Sequence, residues 1–266
     1  IHEDTAWKLS LLSQLDAAVD GGDLWVAYQP KLDLTTGKVV SAEALARWTH
    51  PEKGAINPVE FILAAEQNNR IEKLTYFVLE HAVRVAAAIN AQGTDFSVSV
   101  NLSARLIQDQ GLVAKVTKTL AKYGLKPEHL TLEVTETAAL SSSLPNMHTL
   151  QQLRDLGVQI SVDDYGTGLS TLDYLKKIPA NEIKIDQSFV KGIVDNRSDR
   201  LMVQSTIGLA HSLGRVVVAE GVEHREILDV LVELNCDIAQ GFAVGRPMSL
   251  DNLTRRLATE RKRSAA

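Results

Sequence analysis

Short β-branched runs alternate with longer segments of helical period along almost the whole chain. The runs at 24–34, 38–46, 96–101, 130–135, 158–163, 182–185, 216–219 and 237–240 are predicted strands, alternating apolar and polar residues or forming short Val/Ile blocks. Helical spacing predicts helices at 6–20, 58–67, 71–92, 104–123, 146–156, 188–194, 198–213, 224–234 and 249–263. In the 198–213 segment, Leu201, Ile207, Leu209 and Leu213 are spaced for one broad apolar face. Asn57 followed by Pro58 reads as an N-cap with proline at the first helical position. Pro127 and Pro179 each fall in a turn before a strand. No repeat or linker divides the series.

Alternating strands and helices imply parallel strands joined by crossover helices. Eight strands in one unbroken series favour a closed β/α barrel, and 266 residues match the roughly 250 that such a barrel needs. The first two strands are joined only through Leu34-Thr35-Thr36-Gly37, too short for a crossover helix. The first strand is therefore expected to run antiparallel. The predicted fold is a modified TIM (β/α)8 barrel with one reversed strand.

Apolar residues make up 45% of the chain, enough for a sizeable core without staples. A net charge of −5 argues against a broad nucleic-acid footprint, although bound metal ions can reverse the local sign. The single cysteine, Cys236, excludes an internal disulfide and suits a reducing, cytoplasmic compartment. No apolar run reaches the roughly 18 residues of a membrane span, and no signal peptide is visible. With Ile1 as its first residue, the chain reads as one domain, 1–266, excised from a larger protein that could itself be membrane-anchored. The Arg261-Lys262-Arg263-Ser264 run reads as a frayed, solvated end.

Candidate chemistry lies where the strands stop. Glu43, Asn101, Glu133, Asp163, Asp164, Lys184, Glu220 and Gln240 close their respective apolar runs. Period two places the apolar set of the third to sixth predicted strands against the helices, and the polar set inside the barrel or at its mouth. Active sites of β/α barrels form at the C-terminal strand ends, so these residues are expected to converge. Five carboxylates sharing one pocket must be protonated or neutralised by cations. Apart from Lys184 the donors are all oxygens, which suit Mg²⁺, Mn²⁺ or Ca²⁺ rather than Zn²⁺. Adjacent Asp163 and Asp164 could bridge two ions about 3.5–4 Å apart, an arrangement suited to phosphodiester cleavage. The histidines lack metal-ligand spacing, and His50, His81, His129, His148, His211 and His224 read as surface or helix residues. Gly166-Thr167-Gly168 lacks the long spacing of a phosphate loop and reads as a tight turn.

In these residues the chain resembles the EAL-domain family of cyclic di-GMP phosphodiesterases. Glu43-Ala44-Leu45 stands within a Glu-x-Leu-x-Arg pattern completed by Arg47, preceded by Tyr28-Gln29-Pro30 and followed by Asn101-Leu102-Ser103. Leu132-Glu133-Val134-Thr135-Glu136, Asp163-Asp164-Tyr165-Gly166-Thr167-Gly168, Lys184-Ile185-Asp186, Ala219-Glu220-Gly221-Val222-Glu223 and Gln240-Gly241-Phe242 come next, in order. The resemblance covers roughly residues 10–250. It implies two Mg²⁺ or Mn²⁺ ions, inhibition by Ca²⁺, and hydrolysis of cyclic di-GMP to linear pGpG. By position Glu43, Asn101, Glu133 and Asp163 would hold one ion, and Asp163, Asp164 and Glu220 the other, with Gln240 supporting. Lys184 would orient or deprotonate the attacking water. Arg47 would grip a phosphate, with Gln29, Leu45, Asp186, Glu223 and Phe242 around the dinucleotide.

Glu136 and the 164–171 loop, including Tyr165, Gly166 and Gly168, resemble a regulatory loop that links metal binding to a homodimer contact. Fusion to sensory or GGDEF domains is the implied setting. Tyr165 replaces a usual Phe, Leu169 a common aromatic, and Phe242 a frequent Tyr, but no metal ligand is missing. Two rival readings are a cyclic di-GMP receptor without turnover and a dimeric scaffold. Retention of every acidic ligand argues against the receptor.

Overall fold

Backbone hydrogen bonds close eight strands into a barrel in the computed structural model, which describes residues 2–140, 144–166 and 172–265. The strands are β1 Leu24–Asp33, β2 Val39–His50, β3 Gly54–Ile56, β4 Ser97–Asn101, β5 Leu130–Thr135, β6 Gln159–Tyr165, β7 Glu182–Ile185, β8 Val216–Ala219 and β9 Ile238–Gln240. Their order is β1-β9-β8-β7-β6-β5-β4-β2, and β1 pairs with β2 to complete the ring. β1 is antiparallel to both neighbours, whereas β2 and β4 through β9 run parallel. The reversal follows from the short Asp33–Lys38 turn, tied by the Asp33 carboxylate accepting the backbone N–H groups of Thr35 and Thr36 at 2.8 Å.

The apolar sets of the strands face outward onto the helices, as the alternation predicts. Val98, Val100, Leu132, Ile160 and Val162 join one cluster with the helices Ile71–Asn90, Leu112–Tyr123 and Leu144–Asp155. Ile183, Ile185, Val217 and Ala219 join a second with Arg197–Ser212 and Arg225–Glu233. Barrel interiors are usually filled by branched apolar side chains. Here Lys31, Ser99, Glu133, Ser161 and Lys184 are buried instead. Among the described residues, no helix is long and apolar enough to cross a membrane.

Several predicted details change. The 104–123 segment is two helices, Ala104–Ile107 and Leu112–Tyr123, because Asp109 accepts from the Gly111 N–H at 2.8 Å and turns the chain between them. The predicted 188–194 helix is only the short Gln187–Val190. β2 runs on to His50 and pairs with the unpredicted β3, so His50 is buried rather than a surface residue. Its ring contacts Gln14 at 2.7 Å and accepts from the Glu52 and Lys53 N–H groups. Leu201 is 51% exposed, and the buried face of its helix is Val203, Thr206, Ile207 and Ala210. The basic 261–264 run is not frayed but belongs to the helix Leu250–Ala265, with Arg261 and Lys262 exposed. Glu136–Leu140 and Leu172–Lys177 are further helices that periodicity missed.

Candidate active site

The strand-end residues converge on the mouth formed by the C-terminal ends of the parallel strands. Glu43 on β2 accepts from Asn101 Nδ2 through one oxygen and from Gln240 Nε2 through the other, both at 2.6 Å. Gln240 Nε2 also approaches Gln29 Oε1 at 3.2 Å, which ties β1 to the same network. Lys184 on β7 is fully buried at its centre. Its Nζ lies 2.6 Å from Glu133, 2.7 Å from Glu220, 3.2 Å from Asp163 and 3.6 Å from Glu43.

Asp163 and Asp164 are consecutive, so a regular strand would point them to opposite faces. The pairing of β6 with β7 shifts register between Val162 and Tyr165, and Asp164 adopts φ +56°, in the left-handed region. This bulge turns both carboxylates toward the mouth. Asp163, Asp164 and Glu220 each offer an oxygen lying within 4.8 Å of the others.

Burial first, then the neighbouring Asp163 and Asp186 carboxylates, push the Asp164 carboxyl up to about 6. Burial also raises Glu220 to about 8, with Asp163 and Glu43 adding to it and Lys184 opposing. At Glu133 burial works upward too, but the ammonium groups of Lys184 and Lys31 outweigh it and hold the carboxyl at about 2. Burial opposes the charge on Lys184, yet Glu133, Glu43, Glu220 and Asp163 together keep its ammonium well above the ordinary lysine value. The cluster gathers five carboxylates around two buried ammonium groups, Lys184 and Lys31, an excess of acidic over basic groups. Among the described residues Gln240 Oε1 is buried without a hydrogen-bond partner, an acceptor that a cation or water would satisfy. An oxygen-only donor set, an excess of acidic groups and an orphan acceptor fit hard divalent cations.

A cavity of about 320 Å³ opens over this cluster, lined by Gln29, Leu45, Asp186, Glu223 and Phe242 along with the acids. Asp186 caps the helix that follows it, accepting from Ser188 N–H at 2.9 Å. Glu223 pairs with Lys191 at 3.0 Å on the rim. Phe242 is 49% exposed, and the Arg246 guanidinium sits 4.0 Å from its ring centroid. A larger groove of about 760 Å³ continues from Asn101, Glu133, Asp163 and Asp164 to the apolar Val59, Ile62, Leu63 and Ile71. Arg47 stands apart from the main cavity. It lines a small apolar pocket with Leu45 and donates to the Ala46 carbonyl at 2.8 Å.

Glu136 is buried at the start of its helix and accepts from the Gly166 N–H at 3.1 Å, a direct link between β5 and the end of β6. Tyr165 does not face the mouth but packs into the second apolar cluster. Gly168 and Leu169 lie outside the described residues. Lys31, Gln187 and Arg246 were not singled out from the sequence. Period two from Gln29 would have flagged Lys31, which shares the same face of β1.

The family model of the EAL domain matches residues 12–247. The bifunctional diguanylate cyclase/cyclic di-GMP phosphodiesterase MucR of Pseudomonas aeruginosa is 38% identical over 247 residues, 92% of this chain and 36% of MucR. The cyclic di-GMP phosphodiesterase NbdA of the same organism is 38% identical over 244 residues, 91% of this chain and 31% of NbdA. A solved complex of the PaMucR phosphodiesterase with c-di-GMP matches with a TM-score of 0.87 at 39% identity, covering 92% of this chain and 99% of that one. The chain therefore spans about a third of the length of these curated relatives.

Proposed function

Because the chain belongs to the EAL domain family, we propose that it is a two-metal phosphodiesterase that hydrolyses cyclic di-GMP to linear pGpG. The observation that carries this reading is the complete acidic set, Glu43, Glu133, Asp163, Asp164 and Glu220, gathered around Lys184 at one mouth. Divalent cations in such a site supply activation of a water and neutralisation of phosphoryl charge. Glu43, Asn101, Glu133 and Asp163 would hold one, Asp163, Asp164 and Glu220 the other, and Gln240 would complete the set through its free Oε1. Mg²⁺ or Mn²⁺ fits this role. Ca²⁺, which prefers longer bonds and more ligands, would inhibit.

Lys184 remains an ammonium among its carboxylates, which suits it to orient the attacking water and hold phosphate oxygens rather than to remove a proton. The phosphodiester would lie over the acids. One guanine would stack on the exposed Phe242 ring backed by Arg246, and the other would extend into the apolar groove beside Val59 and Leu63. In this reading Gln29, Leu45, Asp186 and Glu223 line the sugar-phosphate path, and Arg47 reaches a phosphate only after leaving the Ala46 carbonyl. The Glu136–Gly166 contact would couple the loop to the metal cluster, and a homodimer contact would regulate it. The same reading places the domain in the cytoplasm, within a longer protein carrying sensory or GGDEF domains.

The test is hydrolysis of cyclic di-GMP by the purified chain with Mg²⁺, Mn²⁺, Ca²⁺ or chelator, following pGpG by chromatography. Product with Mg²⁺ or Mn²⁺, and none with chelator or Ca²⁺, is expected. Tight binding of intact cyclic di-GMP without product under any metal would replace the enzyme with a receptor.

A further inference from the structure

We infer that Lys31 is a positioning residue for metal binding: from inside the barrel it fixes the Glu133 carboxylate in the orientation that a divalent cation requires. The inference rests on the metal reading of the site given above and adds a residue to it.

Lys31 lies on the reversed strand β1, opposite Gln240 of β9, with its side chain turned into the barrel and only 1% exposed. Its Nζ is 2.6 Å from Glu133 Oε1 and donates to Ser99 Oγ at 2.8 Å, with Glu182 Oε1 at 3.8 Å. All three ammonium protons thus have an acceptor nearby. Lys184 holds the other oxygen of the same carboxylate, Oε2, at 2.6 Å. Glu133 is therefore clamped between two lysines that approach from different sides of the barrel.

The two lysines differ in what stands behind them. Around Lys184 lie Glu43, Asp163 and Glu220, the acids of the mouth. Behind Lys31 lie Ser99 and Glu182, which belong to the opposite end of the barrel, and Glu182 is itself held by Ser161 Oγ at 2.8 Å. The oxygen that Lys31 holds is the one turned away from the acidic cluster. A cation taking Oε2 would compete with Lys184 but leave the Lys31 contact intact. Lys31 keeps its own anchors, so Glu133 would remain oriented while its other partner changes.

A filler role explains this poorly. A buried ammonium is costly unless well paired, and Lys31 is placed close to a second ammonium that repels it. Branched apolar residues are the usual occupants of such interior positions. Groups that hold a metal ligand from behind typically change metal affinity about 10–100-fold when removed.

The test is Lys31→Met, near in volume and neutral. Mn²⁺ binding is titrated by the electron paramagnetic resonance signal of free Mn²⁺, alongside thermal melting without metal and steady-state turnover of cyclic di-GMP. The expected result is Mn²⁺ affinity weakened about tenfold or more, with KM at saturating Mn²⁺ held within about twofold of wild type. Turnover lost at low Mn²⁺ should recover as Mn²⁺ is raised. A lowered melting temperature with Mn²⁺ affinity unchanged would make Lys31 structural only and overturn the inference. If Lys31→Met does not fold, Ser99→Ala trims one anchor of the same ammonium. Weaker Mn²⁺ binding in that variant supports the inference, and unchanged binding overturns it. Failure of the wild type to bind Mn²⁺ overturns the metal reading itself and Lys31 with it, whereas wild-type binding matched by Lys31→Met sinks the Lys31 role alone.

Discussion

Asp164 shows how much one backbone conformation decides. Its positive φ would be strained for most side chains, but Asp and Asn tolerate the left-handed region. Asp164→Asn should therefore keep the bulge and the fold while removing a charge that the site needs. Its amide also mimics the protonated carboxyl that this environment favours, so folding without metal should not suffer. We expect urea midpoints within experimental error of wild type and turnover lower by at least about a hundredfold, the scale of losing a group that stabilises transition-state charge. Turnover within severalfold of wild type would remove Asp164 from the catalytic set. Period two on β4 to β7 makes Glu133, Asp163 and Lys184 legible as an inward polar set, whereas Asp164 reaches the mouth only through the bulge. Lys31 is less legible because β1 is reversed, so that its inward set of Gln29 and Lys31 runs away from the mouth instead of toward it.

Among the elements, the strands were legible and the connections were not. Val98, Val100, Leu132, Ile160 and Ile183 fix which face of each strand is covered, and alternation reads that directly. β3 is three residues long and pairs with the end of β2, too short for any periodicity to reveal it. The break at Asp109–Gly111 depends on a side chain accepting a backbone N–H, which a run of helical spacing conceals. Gly241 joins β9 to the segment carrying Phe242, and there the constraint is severe. A Cβ at Gly241 would lie 2.3 Å from both the backbone N and O of Val222, at φ +155°. Those atoms already bond the Gln240 carbonyl and the Ala243 N–H, so they cannot yield cheaply. Gly241→Ala should cost about 2–3 kcal/mol in chemical denaturation. It should also weaken substrate binding, because Gln240 and Phe242 flank the displaced backbone. A stability change below about 0.5 kcal/mol, the range of ordinary surface substitutions, would contradict this packing.

Five strands, β2 and β5 to β8, deliver charge to a single mouth, so the site's ionisation should register in the stability of the whole barrel. The ring closes through β1, whose reversal was legible from a four-residue turn, but the density of charge inside the closed ring emerges only from three-dimensional proximity. Glu220, held at about 8, keeps a proton in the folded state that the unfolded chain releases near the ordinary glutamate value. Between those two values the unfolded state binds fewer protons, so stability falls as pH rises. Asp164 adds the same sign up to about 6. Glu133, held at about 2, has the opposite sign, but its contribution is complete above the ordinary glutamate range and adds no slope at neutral pH. In chelator, the melting temperature should therefore decline from pH 6 to pH 8. Divalent cations bind the ionised carboxylates and compete with those protons, so the stabilisation by Mg²⁺ should grow over the same interval and flatten or reverse the decline. Differential scanning fluorimetry across that range, with chelator and with Mg²⁺, reads both effects. A melting temperature in chelator that rises from pH 6 to pH 8, or a Mg²⁺ effect larger at pH 6 than at pH 8, would mean that the cluster is ionised without help and that cations are not what its geometry gathers.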